Sequence, residues 1–577
     1  MNTTLARISI AQTNPTVGDI AANAENIIAA VNQARRLGSD LIVFPQLALS
    51  GAPLRDHLRK SSFFEALHSG LQQIIQSCQG ITAIVGLPCA DENSVYNCAA
   101  LIHDAQLVDI ICKQTVSDRP YFHESAYFTA VEPAQPTFYK IGELSIAVVL
   151  GEDLGHHLYR GNHSTSVAHV LSTDPHLVVN MTAHPYTPNG VEIRQRYLKE
   201  ISLRNGCAIA EVNLVGAQDE IVFEGGSQLY SSEGNLLQRA ATFETALLTY
   251  DLLKEHAVPH FRDYKPTYGV NYGSLVLPIL SQDVKAPLAV IPPYEDPDPR
   301  EKTIRAVVLG LRDYMRKNGF KDVVLGISGG LDSALVAALA VRALGAEHVH
   351  GVAMPSCYNA SISLEDSEKL CANLGMDLKV IPIEKPRQVF DELLAETFKD
   401  CRPDTTEENL QARIRANILM ALSNKFGWIV LCTGNKSETA CGYSTLYGDG
   451  AGGIAPIKDI YKTEAFELCR YINREKEIIP ERIISRPPSA ELRPDQKDSD
   501  SLPDYAVLDT ILQLYLEQLL TPEQIVEQGF EEAVVRRVVR LVRVNEFKRK
   551  QGPFGLRLST TLFGCDYDMP ITNRFAE

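Results

Sequence analysis

Apolar and polar positions divide the chain into two alternating series of strand-like and helix-like segments. Near the N-terminus, Arg7–Gln12 reads as a strand. Ile27, Ile28, Val31, Ala34 and Leu37 then recur at helical spacing, which predicts an amphipathic helix over 23–37. Leu41–Phe44 reads as a buried strand ending at Pro45. Apolar runs of strand length follow at Ile81–Gly86, Ser145–Leu150, Leu177–Asn180 and Ala208–Val215. Gly225-Gly226 and Glu233-Gly234 punctuate a hairpin-like stretch.

Residues 276–300 break this pattern. Pro278, Pro287, Pro292, Pro293, Pro297 and Pro299 predict an extended connector between a domain spanning 1–275 and another spanning 301–577. Beyond it the rhythm restarts with a helix over 301–317, strand Val323–Ile327, a Ser-Gly-Gly turn and a helix over 332–344. Strand His348–Met354, helix 363–374, strand Leu378–Ile383 and helices 386–398 and 408–426 follow. Strand Ile429–Cys432 then leads into a second glycine-rich turn, and 504–551 reads as mainly helical. Strands alternating with helices predict an α/β protein whose C-terminal half is a parallel sheet covered on both faces. Ligands belong beyond the carboxyl ends of such strands.

Composition narrows the functional classes. A chain of 577 residues suits two or three domains with real cores. Its net charge of -16 argues against general nucleic-acid binding, which needs a basic face. The 12 cysteines include no CxxC pair, so a zinc ribbon or a thioredoxin-type motif is not expected. The N-terminal segment has no apolar signal core, and no run approaches the roughly 20 apolar residues that span a bilayer. The expectation is a soluble, cytoplasmic protein.

The segment Gly326-Ile327-Ser328-Gly329-Gly330-Leu331-Asp332-Ser333 carries the most chemistry. It follows an apolar strand and opens an Ala/Leu helix. Glycines let the backbone approach a ligand, and the first N–H groups of the helix point outward. Ser328 and Ser333 add hydroxyl donors, so a polyanion such as pyrophosphate fits the turn. Asp332 would repel a bare phosphate, and its expected task is to hold a Mg²⁺ ion that bridges phosphates. No Gly-Lys-Ser/Thr follows, so this is not a Walker loop.

These residues resemble the PP-loop ATP pyrophosphatases, which cleave ATP between its α- and β-phosphates to form an adenylate. Further segments are similar to the NAD synthetases within that group: Met354–Ser356, Glu408–Arg415, Thr433–Glu438, Tyr447–Gly450, Lys462-Thr463, Pro488–Pro494 and Pro570–Phe575. The resemblance spans essentially all of 301–577 and implies a doubly wound parallel-sheet domain of the adenine nucleotide alpha hydrolase type. It implies ATP as cosubstrate, Mg²⁺, and nicotinic acid adenine dinucleotide as the carboxylate that becomes an amide. By this resemblance Gly326, Ile327, Ser328, Gly329, Gly330, Leu331, Asp332, Ser333, Thr433 and Lys462 bind ATP. Asp332 and Glu438 hold the metal, and Asp332, Glu438 and Lys462 form the catalytic set. Asn409, Arg413, Glu438, Asp449 and Lys548 hold the dinucleotide. Taken alone, Asp449 between glycines is an ordinary turn residue, Lys548 belongs to a basic run that reads as a solvated face, and Arg415 reads as a solvated helix charge.

The first half resembles the nitrilase-like amidohydrolases, whose fold is an α-β-β-α sandwich. Gln12 with Asn14-Pro15, Phe44-Pro45, Tyr127-Phe128, Glu152–Leu154, Val212–Gly216 and Phe223–Ser227 carry the match. In glutamine-dependent NAD synthetases such a domain releases ammonia from glutamine with a Cys nucleophile, a Glu base and a Lys. Here the Glu position is Gln46 and the Cys position is Gly151, while Lys113 matches the family lysine. Arg119 replaces a glutamine-recognising tyrosine, and Tyr121 lies two residues later. Cys112 flanks Lys113, but neighbouring residues on a strand face opposite ways, so it is not expected to substitute. The resemblance thus implies an NAD synthetase that uses free ammonia and assembles as a homo-oligomer, with Lys113 a vestige. Two other readings stay open: a glutamine-dependent synthetase with an unrecognised nucleophile, and a non-catalytic nucleotide-binding scaffold.

Overall fold

A computed structural model of the chain describes residues 4–575 apart from 118, 120, 132–136, 156–174, 258–272, 281–284, 495 and 497. It forms two compact units, Met1–Gln218 with Val222–Pro297, and Asp298–Glu577 with Asp219–Ile221.

The first unit contains two large sheets, beside a two-stranded ladder of Val215–Gln218 and Ile221–Glu224. One has six strands in the order Ala246–Leu253, Thr4–Gln12, Leu41–Val43, Thr82–Ala90, Val95–His103, Gln106–Cys112. The other has seven, in the order Leu236–Arg239, Gln228–Tyr230, Ala208–Asn213, Leu177–Thr182, Leu144–Leu150, Thr137–Ile141, Gly273–Leu277. Alternate residues from each sheet build one buried core: Ile8, Ile10, Ile84 and Leu101 from the first, and Ile146, Val148, Val179 and Val212 from the second. The intervening residues face outward onto helices. Ala147, Val149 and Val178 pack with Tyr197, Leu198 and Ile201 of helix Gly190–Asn205. Helices Ile20–Arg36 and Ser61–Ser77 bury their apolar stripes beside the six-stranded sheet. The result is an α-β-β-α sandwich.

Several elements differ from the sequence pattern for local reasons. The first helix starts at Ile20 because the Asp19 side chain caps it at Ala22 N. The run over 208–215 is two strands, Ala208–Asn213 and Val215–Gln218. Glu233-Gly234 does turn a hairpin between Gln228–Tyr230 and Leu236–Arg239, whereas Gly225-Gly226 only links Ile221–Glu224 to the next strand. Val276 and Leu277, placed in the connector by their neighbouring prolines, complete the strand Gly273–Leu277, which pairs in parallel with Thr137–Ile141.

A buried ion triad ties this sandwich together. Arg194 donates from Nε to Glu211 at 3.1 Å and from Nη1 to Glu224 at 2.6 Å, and all three are buried. Removing one partner strands the others' charge in a low dielectric. Arg194→Ala is therefore expected to destabilise the unit by about 3–5 kcal/mol, read as a lowered urea midpoint.

The second unit opens with helix Pro299–Lys317, capped by Asp298, whose carboxylate accepts from Arg300 N. Its sheet is wholly parallel, in the order Asp377–Val380, Val349–Ala353, Val323–Gly326, Ile429–Val430. Val324, Val352 and Val430 pack with Ile414 of helix Thr405–Phe426 on one face. Val323 and Leu325, also buried, point the other way, and helix Leu331–Leu344 packs on these strands. The mainly helical C-terminal region comprises Tyr505–Leu512, Pro522–Glu527, Glu532–Val544 and Glu546–Arg549, with a wide π turn at Gln513–Glu517. Among the described residues no helix is long and apolar enough to cross a membrane.

Candidate active site

The chain order in the second unit's sheet reverses beside Val323–Gly326. The next two strands step away on one side, and Ile429–Val430 returns on the other. The crevice at such a switch point lies between the loops leaving these two strands. Those loops are 327–330 and 431–435, the two glycine-rich turns singled out by sequence.

The first loop is held by its own serines. Gly330 N donates to Ser328 Oγ at 3.1 Å, Ser328 N donates to Ser333 Oγ at 3.3 Å, and the two hydroxyls lie 3.1 Å apart. Gly329 has φ +79°, and a Cβ there would fall 2.4 Å from Ser363 O, so only glycine fits. The side chains of Ile327 and Leu331 are buried in the core. Of these two residues only the backbone is left to meet a ligand.

Three helix starts then bring charged residues together. Asp332 lies in the first turn of Leu331–Leu344, Glu438 in the first turn of Lys436–Cys441, and Lys462 opens Lys462–Ile472. Asn435 caps the second helix: its Oδ1 accepts from Glu438 N while Glu438 accepts from Asn435 N. Asn435 Nδ2 also donates to Asp332 Oδ1 at 3.0 Å. Lys462 Nζ donates to Asp332 Oδ2 and lies 3.7 Å from Glu438 Oε1. Burial, then the neighbouring Asp332, pushes the Glu438 carboxyl up to about 8. Burial alone would lower the Lys462 ammonium, but Asp332 and Glu438 more than reverse it and hold it above its usual range. Thr433 sits two residues before Asn435, in the same turn.

A third carboxylate stands in this field. Asp498 accepts from Tyr505 OH at 2.9 Å and from Tyr443 OH at 3.3 Å. The Lys462 ammonium lies 5.5 Å from the centre of the Tyr505 ring. Sequence reasoning passed over all three, because each is a single polar or aromatic residue in an unremarkable context.

Asn409, Arg413, Asp449 and Lys548 converge on the turn that follows the Glu438 helix. Asn409 Oδ1 accepts from Thr445 Oγ1 at 2.8 Å, and Asp449 accepts from Thr445 N at 2.8 Å. Arg413 donates to Leu446 O at 3.2 Å. Lys548 Nζ donates to Gly442 O at 2.7 Å and Ser444 O at 2.8 Å, so it is not a solvated surface charge. Arg415 is not one either: it donates to Met354 O at 3.0 Å and Asn359 Oδ1 at 3.1 Å, and burial pulls its guanidinium down to about 10.

In the first unit, Gln46, Lys113 and Gly151 line one pocket. Lys113 Nζ is buried between Glu124, at 2.8 Å, and Glu152, at 2.6 Å. Lys113 holds Glu152 well below the carboxylate range despite its burial. Gly151 adopts φ +54°, and a Cβ there would lie 3.6 Å from the Gln46 amide and 3.7 Å from Lys113 Nζ. Asn97 and His184 also line the pocket and, like Glu124, had no sequence signal. Gln46 Nε2 and Asn97 Oδ1 are buried without a hydrogen-bond partner among the described residues. Among the described residues no cysteine, serine or threonine lines the pocket. Cys112 faces away from the pocket, 3.0 Å from the Cys98 sulfur.

Comparison with known proteins agrees with both halves. Residues 303–552 match the NAD synthase family and residues 7–257 the carbon-nitrogen hydrolase family. The chain is 43% identical to the glutamine-dependent NAD(+) synthetase of Thermotoga maritima, covering 99% of both chains. It is 40% identical to that of Aquifex aeolicus, covering 99% of this chain and 100% of the relative. Among solved structures, the glutamine-dependent NAD+ synthetase from Acinetobacter baumannii in complex with ADP superposes with a TM-score of 0.75 at 32% identity, covering 98% of each chain. The chain therefore belongs to the two-domain NAD synthetase family, ligases of NAD biosynthesis in which a nitrilase-like unit precedes an NAD synthase unit.

Proposed function

We propose that this NAD synthetase amidates nicotinic acid adenine dinucleotide with free ammonia, and that its nitrilase-like unit does not hydrolyse glutamine. The observation that carries this reading is Gly151, which stands opposite Gln46 and Lys113 in a pocket lined, among the described residues, by no cysteine, serine or threonine. Amide hydrolysis of the nitrilase type needs a nucleophile there and a carboxylate base at 46.

In the synthase unit the carboxylate attacks the α-phosphorus of ATP. The bond to the β-phosphate breaks, giving an acyl-adenylate and pyrophosphate. Ammonia adds to the acyl carbon, AMP leaves, and one proton is released. The Ser328–Ser333 turn binds pyrophosphate through backbone N–H groups and hydroxyls. Lys462 places its ammonium against the charge that builds on the departing phosphates. Asn409, Arg413, Asp449 and Lys548 shape the dinucleotide side, and Thr433 the nucleotide side.

Mg²⁺ fits this charge arrangement. Asp332 and Glu438 share the single ammonium of Lys462, and burial with their mutual repulsion drives Glu438 toward protonation. Those two carboxylates would hold the ion, which when bound neutralises phosphate oxygens. Among the described residues no group of three or more His, Cys, Asp or Glu is placed to hold a metal. Two protein ligands plus phosphate oxygens is a usual Mg²⁺ arrangement.

The names of the whole-length relatives favour a second reading, glutamine as nitrogen donor. One assay separates the two: NAD formation from nicotinic acid adenine dinucleotide, ATP and Mg²⁺, with ammonium or with ammonia-free glutamine. Activity with ammonium and none with glutamine is expected. Equal rates with both donors would reject the free-ammonia reading.

A further inference from the structure

Three neighbouring strands of the nitrilase-like unit place three thiols on one face. In Val95–His103, Ala99 and Leu101 turn toward the core between the sheets and Asn97 toward the pocket, so Cys98 turns the opposite way. Cys112 is its direct antiparallel partner on Gln106–Cys112, and the two sulfurs are 3.0 Å apart. Cys89, on Thr82–Ala90, also contacts the Cys98 thiol. Cys98 is buried, whereas Cys89 and Cys112 are partly exposed.

The ladder register favours bond formation here. Lys113 N donates to Asn97 O at 2.8 Å, so the adjacent pair is hydrogen-bonded and Cys98–Cys112 occupies a non-hydrogen-bonded position. At such positions facing Cα atoms approach to about 4.5 Å, within the span a disulfide bridges. The hydrogen bond shared with the buried Cys98 thiol holds the Cys112 thiol below its usual pKa. The more accessible sulfur is thereby the better nucleophile.

We propose that Cys112 and Cys98 form a redox-active dithiol that closes to a disulfide on reaction with peroxide. The Cys112 thiolate attacks one peroxide oxygen, the O–O bond breaks, and Cys112 becomes a sulfenic acid as hydroxide leaves. Cys98 gives up its proton and attacks the Cys112 sulfur, expelling a second hydroxide. The two sulfurs lose two electrons, the peroxide gains them, and two waters result. A dithiol reductant, itself oxidised to a disulfide, returns both cysteines to thiols. The bond staples the two strands next to Asn97 and Lys113, which face the pocket from the other side of the sheet.

The test is mild oxidation of the folded full-length protein with hydrogen peroxide, followed by alkylation, digestion and mass spectrometry. A Cys98–Cys112 linked peptide, lost on adding dithiothreitol, is expected, with two fewer alkylatable thiols than the 12 of the reduced chain. Cys89→Ser should keep the link. Cys98→Ser should leave a sulfenic acid at Cys112 that dimedone traps. Recovery of Cys98 and Cys112 both alkylated after oxidation would overturn the proposal, as would a Cys98 link to Cys89 in place of Cys112.

Discussion

Asp332→Ala is expected to lower NAD formation by about 1,000-fold or more while leaving the synthase unit folded. The carboxylate stands where three helix starts meet, bonded to Lys462 and to Asn435 Nδ2. Without it Lys462 keeps the Glu438 contact at 3.7 Å and the Tyr505 ring, and the proposed metal position loses one of its two protein ligands. Stability should change little by comparison. An acidic residue in the first turn of a helix contributes about 0.3–1 kcal/mol, and the Asp332 side chain is partly exposed rather than locked in the core. The step to watch is adenylation, followed as exchange of labelled pyrophosphate into ATP in the presence of nicotinic acid adenine dinucleotide. Asp332→Asn keeps the volume and removes the charge, so an equal loss in that variant assigns the effect to charge. Undiminished exchange in either variant would reject the role given to Asp332.

The features legible in the sequence are those encoded within one strand–turn–helix. The Ser328–Ser333 turn needs only its own glycines and serines, and Asn435 with Glu438 caps a helix within four residues. Their placement together depends on the strand order of a parallel sheet, which the alternating pattern predicts in kind. What stayed hidden is long-range. Asp498 matters because Tyr443, 55 residues earlier, bonds it beside Lys462. Glu124 matters because it and Glu152 clamp Lys113 from two separate segments. Arg415 illustrates the converse: its helical spacing gives no hint that Met354 O and Asn359 engage it. In the sandwich, the strands Val95–His103 and Ala246–Leu253 escaped notice because polar residues interrupt their apolar runs.

Gly151→Cys combined with Gln46→Glu is expected to give the nitrilase-like unit a glutamine-hydrolysing activity at least ~100-fold above that of the unaltered chain. A Cβ at 151 meets nothing closer than 3.6 Å, an ordinary contact, and projects between residue 46 and Lys113. A thiol there would face the groups its chemistry requires. The backbone at 151 sits at φ +54°, so any side chain is strained by about 1–3 kcal/mol, and the variant should unfold at lower denaturant. At 46, the amide nitrogen has no partner among the described residues, so a glutamate oxygen there breaks no hydrogen bond. The new carboxylate would share Lys113 with Glu124 and Glu152, and burial beside two like charges would raise its pKa toward neutrality, where a general base works best. Each single variant should stay inactive, because nucleophile and base act as a unit. Glutamate release from glutamine measures the gain directly. A folded double variant with no release would mean that the loss extends past 46 and 151. Arg119 would then be the next position to change, because the resemblance aligns it with a glutamine-recognising tyrosine and it bonds Tyr121 OH at 2.6 Å.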